Sequence, residues 1–253
     1  MDGKELVTNS SNTIFILTCK SYGLQVLFFL TISNFSLKIT STISQHFISY
    51  IAGNDSFVFL ICIMNSLYNY FCTLHPVFTP SDFELLTKDF RTKHFKKGDS
   101  IVREGETQRN IYFVEKGIQM YNFDTQGKTN ILGFAYPPNL CVVMESFIFQ
   151  KPSTYNVTCI TDSTLSYLSY SALQEIFEQS RQVERLFRKL SENLSIGLLN
   201  RQMELRSTTI EERFKIFCQR SPHLLQQVPQ KYIAAYLAID PTNFSKLMNT
   251  VRF

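Results

Sequence analysis

The longest regular pattern of apolar positions in the chain runs from Ser180 to Leu205. Apolar residues recur there at steps of four, three, four and four, which places them along one face of a helix. A solitary helix of this length would leave its apolar seam in water, so the pattern predicts pairing with a second copy of the chain. An ordinary amphipathic helix packed on its own domain is the alternative. The predicted dimer interface consists of Val183, Phe187, Leu190, Leu194 and Leu198.

A β pattern precedes this helix, between residues 91 and 168. Short runs of alternating residues are separated by turns that contain glycine, such as those around Gly98 and Gly105. Turn signals at intervals of about eight to twelve residues are typical of a small antiparallel roll or barrel. Two short helices between residues 65 and 90 precede it and a brief helix at Ser171–Glu178 follows, so the predicted fold class is α+β with an antiparallel β-roll. The predicted strands are Ser100–Arg103, Asn110–Glu115, Ile118–Phe123, Thr129–Ala135, Asn156–Ile160 and Thr164–Ser169.

The end of the chain has the pattern of two short helices joined by a tight turn. Pro229 can occupy the first turn of the first helix, whose inner face carries Ile233 and Leu237. Residues 238–240 form the turn, and Asp240 can cap a second helix that begins at Pro241. An alanine at position 238, where such turns favour a left-handed residue, costs about 1 kcal/mol.

The outward positions of the second helix carry side chains suited to reading DNA. Phe244, Leu247 and Val251 fall on its inner side. Asn pairs bidentately with adenine and Lys donates to guanine acceptors, while an arginine beyond that turn can meet a phosphate. An ordinary two-helix packing motif is the alternative. The candidate DNA-binding residues are Thr242, Asn243, Lys246, Asn249 and Arg252.

Residues 1–63 differ in composition from the rest of the chain. They carry only three basic and three acidic residues, and none of their apolar runs reaches the roughly 18 residues that a membrane span needs. A membrane-associated anchor, an extra small domain and a segment without a stable fold all remain open, and we favour the last. Composition becomes ordinary from Met64, which is the candidate functional start.

The distribution of charge points to an anionic partner for the C-terminal part. The formal net charge is +4, but residues 181–253 alone carry twelve basic and six acidic residues. A net charge of +6 in that part favours nucleic-acid binding, and no enzyme motif of the P-loop, GxSxG or HExxH type occurs. The six cysteines and four histidines show no metal-ligand spacing. We therefore expect no enzyme activity and no metal, with reduced thiols in a cytoplasmic protein.

The order of these segments resembles the Crp/Fnr family of transcription regulators. The stretch KKGDSIVREGETQRNIYFVEKGIQMYNFDTQGK is similar to the front half of a cyclic-nucleotide-binding roll, and VPQKYIAAYLAIDPTNFSKL is similar to the helix-turn-helix of Bacteroidetes-type members. The resemblance covers about residues 65–253. It implies a cytoplasmic homodimer that binds double-stranded DNA, with RNA polymerase as a further partner and a small-molecule effector for the roll.

The same resemblance identifies candidate effector-binding residues. In family members that bind cyclic nucleotides, a short helix after a Gly-Glu pair is followed by an Arg-Ser or Arg-Thr that clamps the phosphate. Glu145 matches the glutamate, and Ser153 and Thr154 fall at the clamp. No arginine occurs from Asn110 to Ser180, and a buried phosphodiester without a cation is poorly compensated. This argues against binding of cAMP. We therefore expect either an unknown effector or no effector, and no cofactor. A local capping or pairing role is the alternative for Glu145.

Together these observations predict a homodimeric transcription regulator of Crp/Fnr type with four segments. A cyclic-nucleotide-binding-like scaffold that binds a ligand but not DNA is the alternative function. The predicted segments are an extension at 1–63, a β-roll sensor at 64–179, a dimerisation helix at 180–206 and a helix-turn-helix domain at 207–253.

Overall fold

The structure, a computed structural model, describes residues 66–250 throughout and, before them, the backbone of five short strands between residues 6 and 31. The chain divides into two units, Met1–Ile61 and Cys62–Phe253. In the first unit β1, β2 and β5 form one sheet, and β3 pairs with β4. The prediction for residues 1–63 lies largely outside the described residues and stays a prediction. These strands are β1 (Leu6–Asn9), β2 (Asn12–Phe15), β3 (Thr18–Cys19), β4 (Val26–Leu27) and β5 (Leu30–Thr31).

Two helices open the described part of the second unit, as the sequence predicts. Residues 66–74 are helical (α1), and α2 covers Pro80–Thr87. Thr79 caps α2 in a capping box with Asp82, and Pro80 occupies a first-turn position, where its missing N–H costs nothing. Apolar and aromatic residues of these helices, including the fully buried Phe71, pack against one face of the β-roll.

The β-roll consists of two four-stranded antiparallel sheets, in the orders β10-β9-β12-β7 and β11-β8-β13-β6. Its interior is an apolar cluster to which both sheets contribute. The predicted strands are confirmed, and two more are present: β6, whose residues are mostly exposed, and the two-residue β11, both too weakly patterned to detect. The strands are β6 (Arg91–Phe95), β7 (Ser100–Val102), β8 (Asn110–Lys116), β9 (Gln119–Thr125), β10 (Lys128–Ala135), β11 (Leu140–Cys141), β12 (Asn156–Cys159) and β13 (Ser163–Ser169).

Seven helices, one of them a single turn, accompany and follow the roll in the described part of the chain. The short α3 lies between β11 and β12, and α4 leads into the long α5. None of the described helices is long and apolar enough to cross a membrane. The helices are α3 (Met144–Phe149), α4 (Tyr170–Gln179), α5 (Arg181–Ser207), α6 (Ile210–Arg220), α8 (Gln230–Leu237) and α9 (Pro241–Thr250), with a single turn, α7 (Leu224–Gln227), between α6 and α8.

The C-terminal helices pack on the roll as well as on one another. Their core contains Phe214, Ile233 and Phe244, and the same cluster includes Ile118 and Ile131 from the sheet that contains β9 and β10. The roll and the C-terminal helices therefore share one apolar core.

Candidate functional site

The turn between α8 and α9 has the geometry that the sequence predicts. Ala238 adopts a left-handed conformation with φ 53° and ψ 44°. The N–H of Ile239 donates to the carbonyl of Ala234 at 2.9 Å, which closes the end of α8. A carboxylate oxygen of Asp240 accepts from the N–H of Thr242 at 2.8 Å, as expected of a residue that caps α9.

The two sides of α9 differ in chemistry. Phe244 and Leu247 are buried, and Phe244 packs edge-on against Phe214 with ring centroids 5.5 Å apart. The polar side chains face solvent, and Asn249 also donates to the carbonyl of Ser245 at 3.0 Å. Arg252 and Val251 lie outside the described residues. The structure thus brings four predicted DNA-binding residues onto one exposed helix: Thr242, Asn243, Lys246 and Asn249.

An ion-pair network that sequence reasoning missed joins the end of α5 to the C-terminal helices. Glu204 pairs with Arg201 at 3.0 Å and with Arg220 at 2.7 Å, and its side chain is only 14% exposed. The guanidinium of Arg201 also donates to the carbonyl of Tyr236 and lies 4.1 Å from the centre of its ring. Burial lowers the pKa of Arg220, but Tyr236 and Glu204 outweigh this effect and raise it above its ordinary value. Only the Arg201–Glu204 spacing of three residues signals this network in the sequence.

The predicted dimer interface divides between two environments along α5. Val183 is fully buried in the core of its own domain, and Phe187 and Leu190 pack against that core. A partner copy cannot reach Val183 in this fold, so there the alternative of an ordinary amphipathic helix holds. Leu194 and Leu198 are 43% and 58% exposed. Three further apolar residues of this half are exposed: Ile196, Leu199 and Met203.

Among the predicted effector residues, Glu145 and Ser153 have local partners within the protein. Glu145 pairs with Lys151 at 2.6 Å, and both side chains are about half exposed. Ser153 is buried, and its hydroxyl donates to the carbonyl of Tyr155 at 2.6 Å. Thr154 is exposed. The hydroxyl of Ser153 is therefore engaged within the protein, and Glu145 has the local pairing role that was its alternative.

A buried polar network, absent from the predicted site, holds the segment around α3. The side-chain carbonyl of Gln108 accepts from the N–H of Val143 at 2.7 Å. The N–H of Gln108 donates to Ser146 at 2.9 Å, and Ser146 donates to the carbonyl of Lys151 at 2.6 Å. Since Gln108 is 35 and 38 residues away from these partners in the sequence, no local sequence pattern predicts the hydrogen bonds between them.

The interior of the roll next to this segment disfavours charge. Tyr121 accepts from the N–H of Val142 at 3.1 Å, and its ring contacts that of Tyr155 edge-on. Burial raises the pKa of the Cys141 thiol to about 12 and that of Cys159 to about 11. Lys151 is the single basic residue between positions 129 and 180. An anion in this interior would therefore lack the compensation that a buried phosphate needs.

Comparison with known proteins places this roll in a family. Residues 92–180 match the Cyclic nucleotide-binding domain. FixK2 from Bradyrhizobium japonicum is similar in structure, with a TM-score of 0.56, 18% identity and coverage of 63% of this chain and 83% of that one. The c-di-GMP responsive global regulator CLP from Xanthomonas campestris has a TM-score of 0.52, 16% identity and coverage of 68% and 90%.

A third similar structure is a mutant of CooA from Carboxydothermus hydrogenoformans, with a TM-score of 0.51, 16% identity and coverage of 65% and 77%. A search of curated proteins finds no match. At these identities the likeness concerns the fold alone: residues 92–180 form a cyclic nucleotide-binding domain fold, and the parts of this chain that are covered resemble the folds of FixK2, CLP and CooA.

Proposed function

We propose that the protein is a homodimeric, DNA-binding transcription regulator of Crp/Fnr type, with the β-roll as its sensor domain. The observation that carries this proposal is α9, a helix held by Phe244 and Leu247 whose solvent side is polar. Its preceding turn has the left-handed Ala238 and the capping Asp240 that a helix-turn-helix requires. The similarity in fold to FixK2 and CLP supports the same reading.

The exposed side chains of α9 suit the base edges of the major groove. Asn243 and Lys246 are three residues apart, so they lie on the same side of the helix. The amide of Asn243 can pair with adenine, and the ammonium of Lys246 can donate to the acceptors of guanine. The surplus of six positive charges over residues 181–253 supplies attraction to the phosphate backbone.

A dimer provides the second reading helix. The exposed apolar residues in the second half of α5 form the surface on which two copies pair. Two copies of α9 then meet successive major grooves about 34 Å apart. A shift of α5 changes that spacing, which is how events in the roll reach the DNA.

The proposal is tested by selecting genomic DNA fragments with the purified protein and measuring affinity for selected and scrambled duplexes. Asn243→Ala and Lys246→Ala are each expected to cost about 1–3 kcal/mol on the selected site and to relax preference at one base position per half-site. Lys88→Ala is the matched control, because Lys88 is an exposed lysine beside α2 in the sensor domain. It should leave specific affinity unchanged.

A salt series separates the two candidate functions. A DNA-binding regulator loses affinity steeply as salt rises, because counterions are released from the duplex. If no duplex is bound with an affinity that depends on salt, the chain is a ligand-binding scaffold without DNA binding and the proposal fails.

A further inference from the structure

A small cavity lies on the helix-covered face of the roll, away from Ser153 and from α9. It is lined by the start of α1, by the aromatic rings of Phe90 and Phe113, by Pro137 and by strands β8 and β13. The two rings stack with centroids 4.6 Å apart. The volume of the cavity is about 40 Å³, which is enough for about three water molecules.

A buried carboxylate opens into this cavity. Glu115 on β8 is 7% exposed, and Ser166 on β13, itself 5% exposed, donates its hydroxyl to one carboxylate oxygen. Within residues 66–250, Glu115 has no ion-pair partner, although an ionised carboxylate can accept about four hydrogen bonds. A buried charge of this kind is costly unless a cation compensates it.

The walls of the cavity restrict which cation fits. Among the described residues of the lining, Ser66 is the only one besides Glu115 and Ser166 with a side-chain oxygen, which is too few for Ca²⁺ and leaves Mg²⁺ dependent on its waters. The rings of Phe90 and Phe113 offer surfaces that attract an ammonium group. The remaining walls are apolar, including Leu67 and Pro137, and suit a short alkyl chain.

We infer that this cavity binds the head group of a small primary amine as its ammonium ion, with Glu115 as counter-ion. The ammonium donates to the free carboxylate oxygen of Glu115, and its methylene groups contact Phe90 and Phe113. Two residues of the lining, Leu67 and Phe113, belong to the same apolar cluster as Val183 and Leu186, so the site adjoins the packing that holds α5. The cavity can bind the amine whether or not the protein binds DNA.

The test is thermal unfolding of the full chain in methylammonium chloride and in sodium chloride at equal ionic strength. The melting temperature is expected to rise with methylammonium in the native protein and in Glu175→Gln, a control at an exposed glutamate of α4. In Glu115→Gln, which keeps the shape and removes the charge, affinity should fall at least about tenfold. Ser166→Ala keeps the carboxylate and should retain binding, which covers the case in which Glu115→Gln does not fold.

A second measurement locates the amine. Nuclear Overhauser contacts from the methyl group of ¹³C-methylammonium to the ring protons of Phe90 and Phe113 are expected in the native protein. In Phe90→Leu, which keeps an apolar wall, the contacts to Phe90 should disappear and those to Phe113 should remain. Equal stabilisation by the two salts, or equal methylammonium responses of Glu115→Gln and the native protein, overturns the inference and leaves Ser166 as the hydrogen-bond partner of Glu115.

Discussion

At the scale of single residues, Ala238 has a strained backbone conformation that allows neighbouring apolar side chains to be buried. Its left-handed conformation, with φ 53°, is disfavoured for any residue with a Cβ. The conformation turns the chain so that Leu237 and Ile239, on either side, are both buried with Phe244. Burial of three large apolar side chains outweighs a strain of about 1 kcal/mol.

Ala238→Gly is therefore expected to stabilise the protein by up to about 1 kcal/mol, because glycine adopts this conformation without strain. The higher conformational entropy of glycine in the unfolded chain offsets part of this stabilisation. Urea unfolding should show a higher midpoint at an unchanged slope. Ala235→Gly, within α8, is the control and should destabilise by about 1 kcal/mol. A lower midpoint for Ala238→Gly would contradict this account of the turn.

Asp82 joins two helix caps. Its carboxylate accepts from Thr79, the cap of α2, and from the hydroxyl of Ser180, the cap of α5, at 2.8 Å. Burial raises the pKa of Asp82, but the hydrogen bonds from Thr79 and Ser180 outweigh it and hold the pKa below its ordinary value of 3.8.

Because that pKa is lowered in the folded state, the carboxylate stabilises the fold above pH 3.8 and ceases to do so as the pH falls through the lower folded value. Asp82→Asn should lower the urea midpoint at pH 7, and the gap from the native protein should narrow as the pH falls below 3.8. Glu84→Gln, at an exposed position of the same helix, is the control. A gap that stays constant into acid would show that charge on Asp82 is immaterial.

At the scale of elements, α5 is one helix in two environments. Its first half carries Val183 and Leu186 into the core beside α1, α2 and α4. Its second half exposes apolar side chains over nearly three turns, among them Leu199 at 65%. The periodic pattern is continuous, but the roll covers only the first half.

If that second half pairs with a partner copy, Leu199→Arg places a charge in an apolar interface at a cost of several kcal/mol. Light scattering should report a dimer for the native protein and a monomer for the variant. Asn193→Arg is the control: it adds the same side chain at an exposed position about 120° around the helix from Leu199. A native protein that is already monomeric at micromolar concentration would refute the proposed pairing.

At the scale of the whole second unit, the C-terminal helices and the roll are linked by specific contacts as well as by a shared core. The ring of Phe134 meets that of Tyr236 at 5.4 Å, and the hydroxyls of Tyr136 and Ser221 are 2.9 Å apart. His223 lies edge-on to Tyr136 at 4.5 Å. β10 and the residue that follows it therefore contact α8 and the segment between α6 and α7, and α9 shares an apolar cluster with these elements. This gives the roll a physical connection to the proposed DNA-reading surface.

The roll is not expected to respond to cAMP, because the serine at the clamp position is turned inward and Lys151 already pairs with Glu145. Millimolar cAMP should leave the melting temperature unchanged, whereas a ligand at 100 times its Kd stabilises by about 2.7 kcal/mol. A cAMP-binding protein measured in parallel verifies the assay. A rise that Lys151→Ala abolishes would show instead that this lysine supplies the missing charge.

Much of the architecture follows from sequence, because each element carries its own signal. Alternating residues with glycine turns predict the roll, spacing of three and four predicts α5, and Asp240 beside Pro241 predicts the start of α9. The exposed polar side of α9 follows as well, since Phe244 and Leu247 determine which way that helix faces.

Only the tertiary structure decides which surfaces remain free. The same apolar periodicity holds for Val183 and for Leu198, but the roll buries the first and not the second. The ion pair of Glu204 with Arg220 and the hydrogen bond of Ser166 to Glu115 join residues that are not neighbours along the chain. Such contacts depend on how elements pack, and a local pattern of residues carries no information about its distant partners.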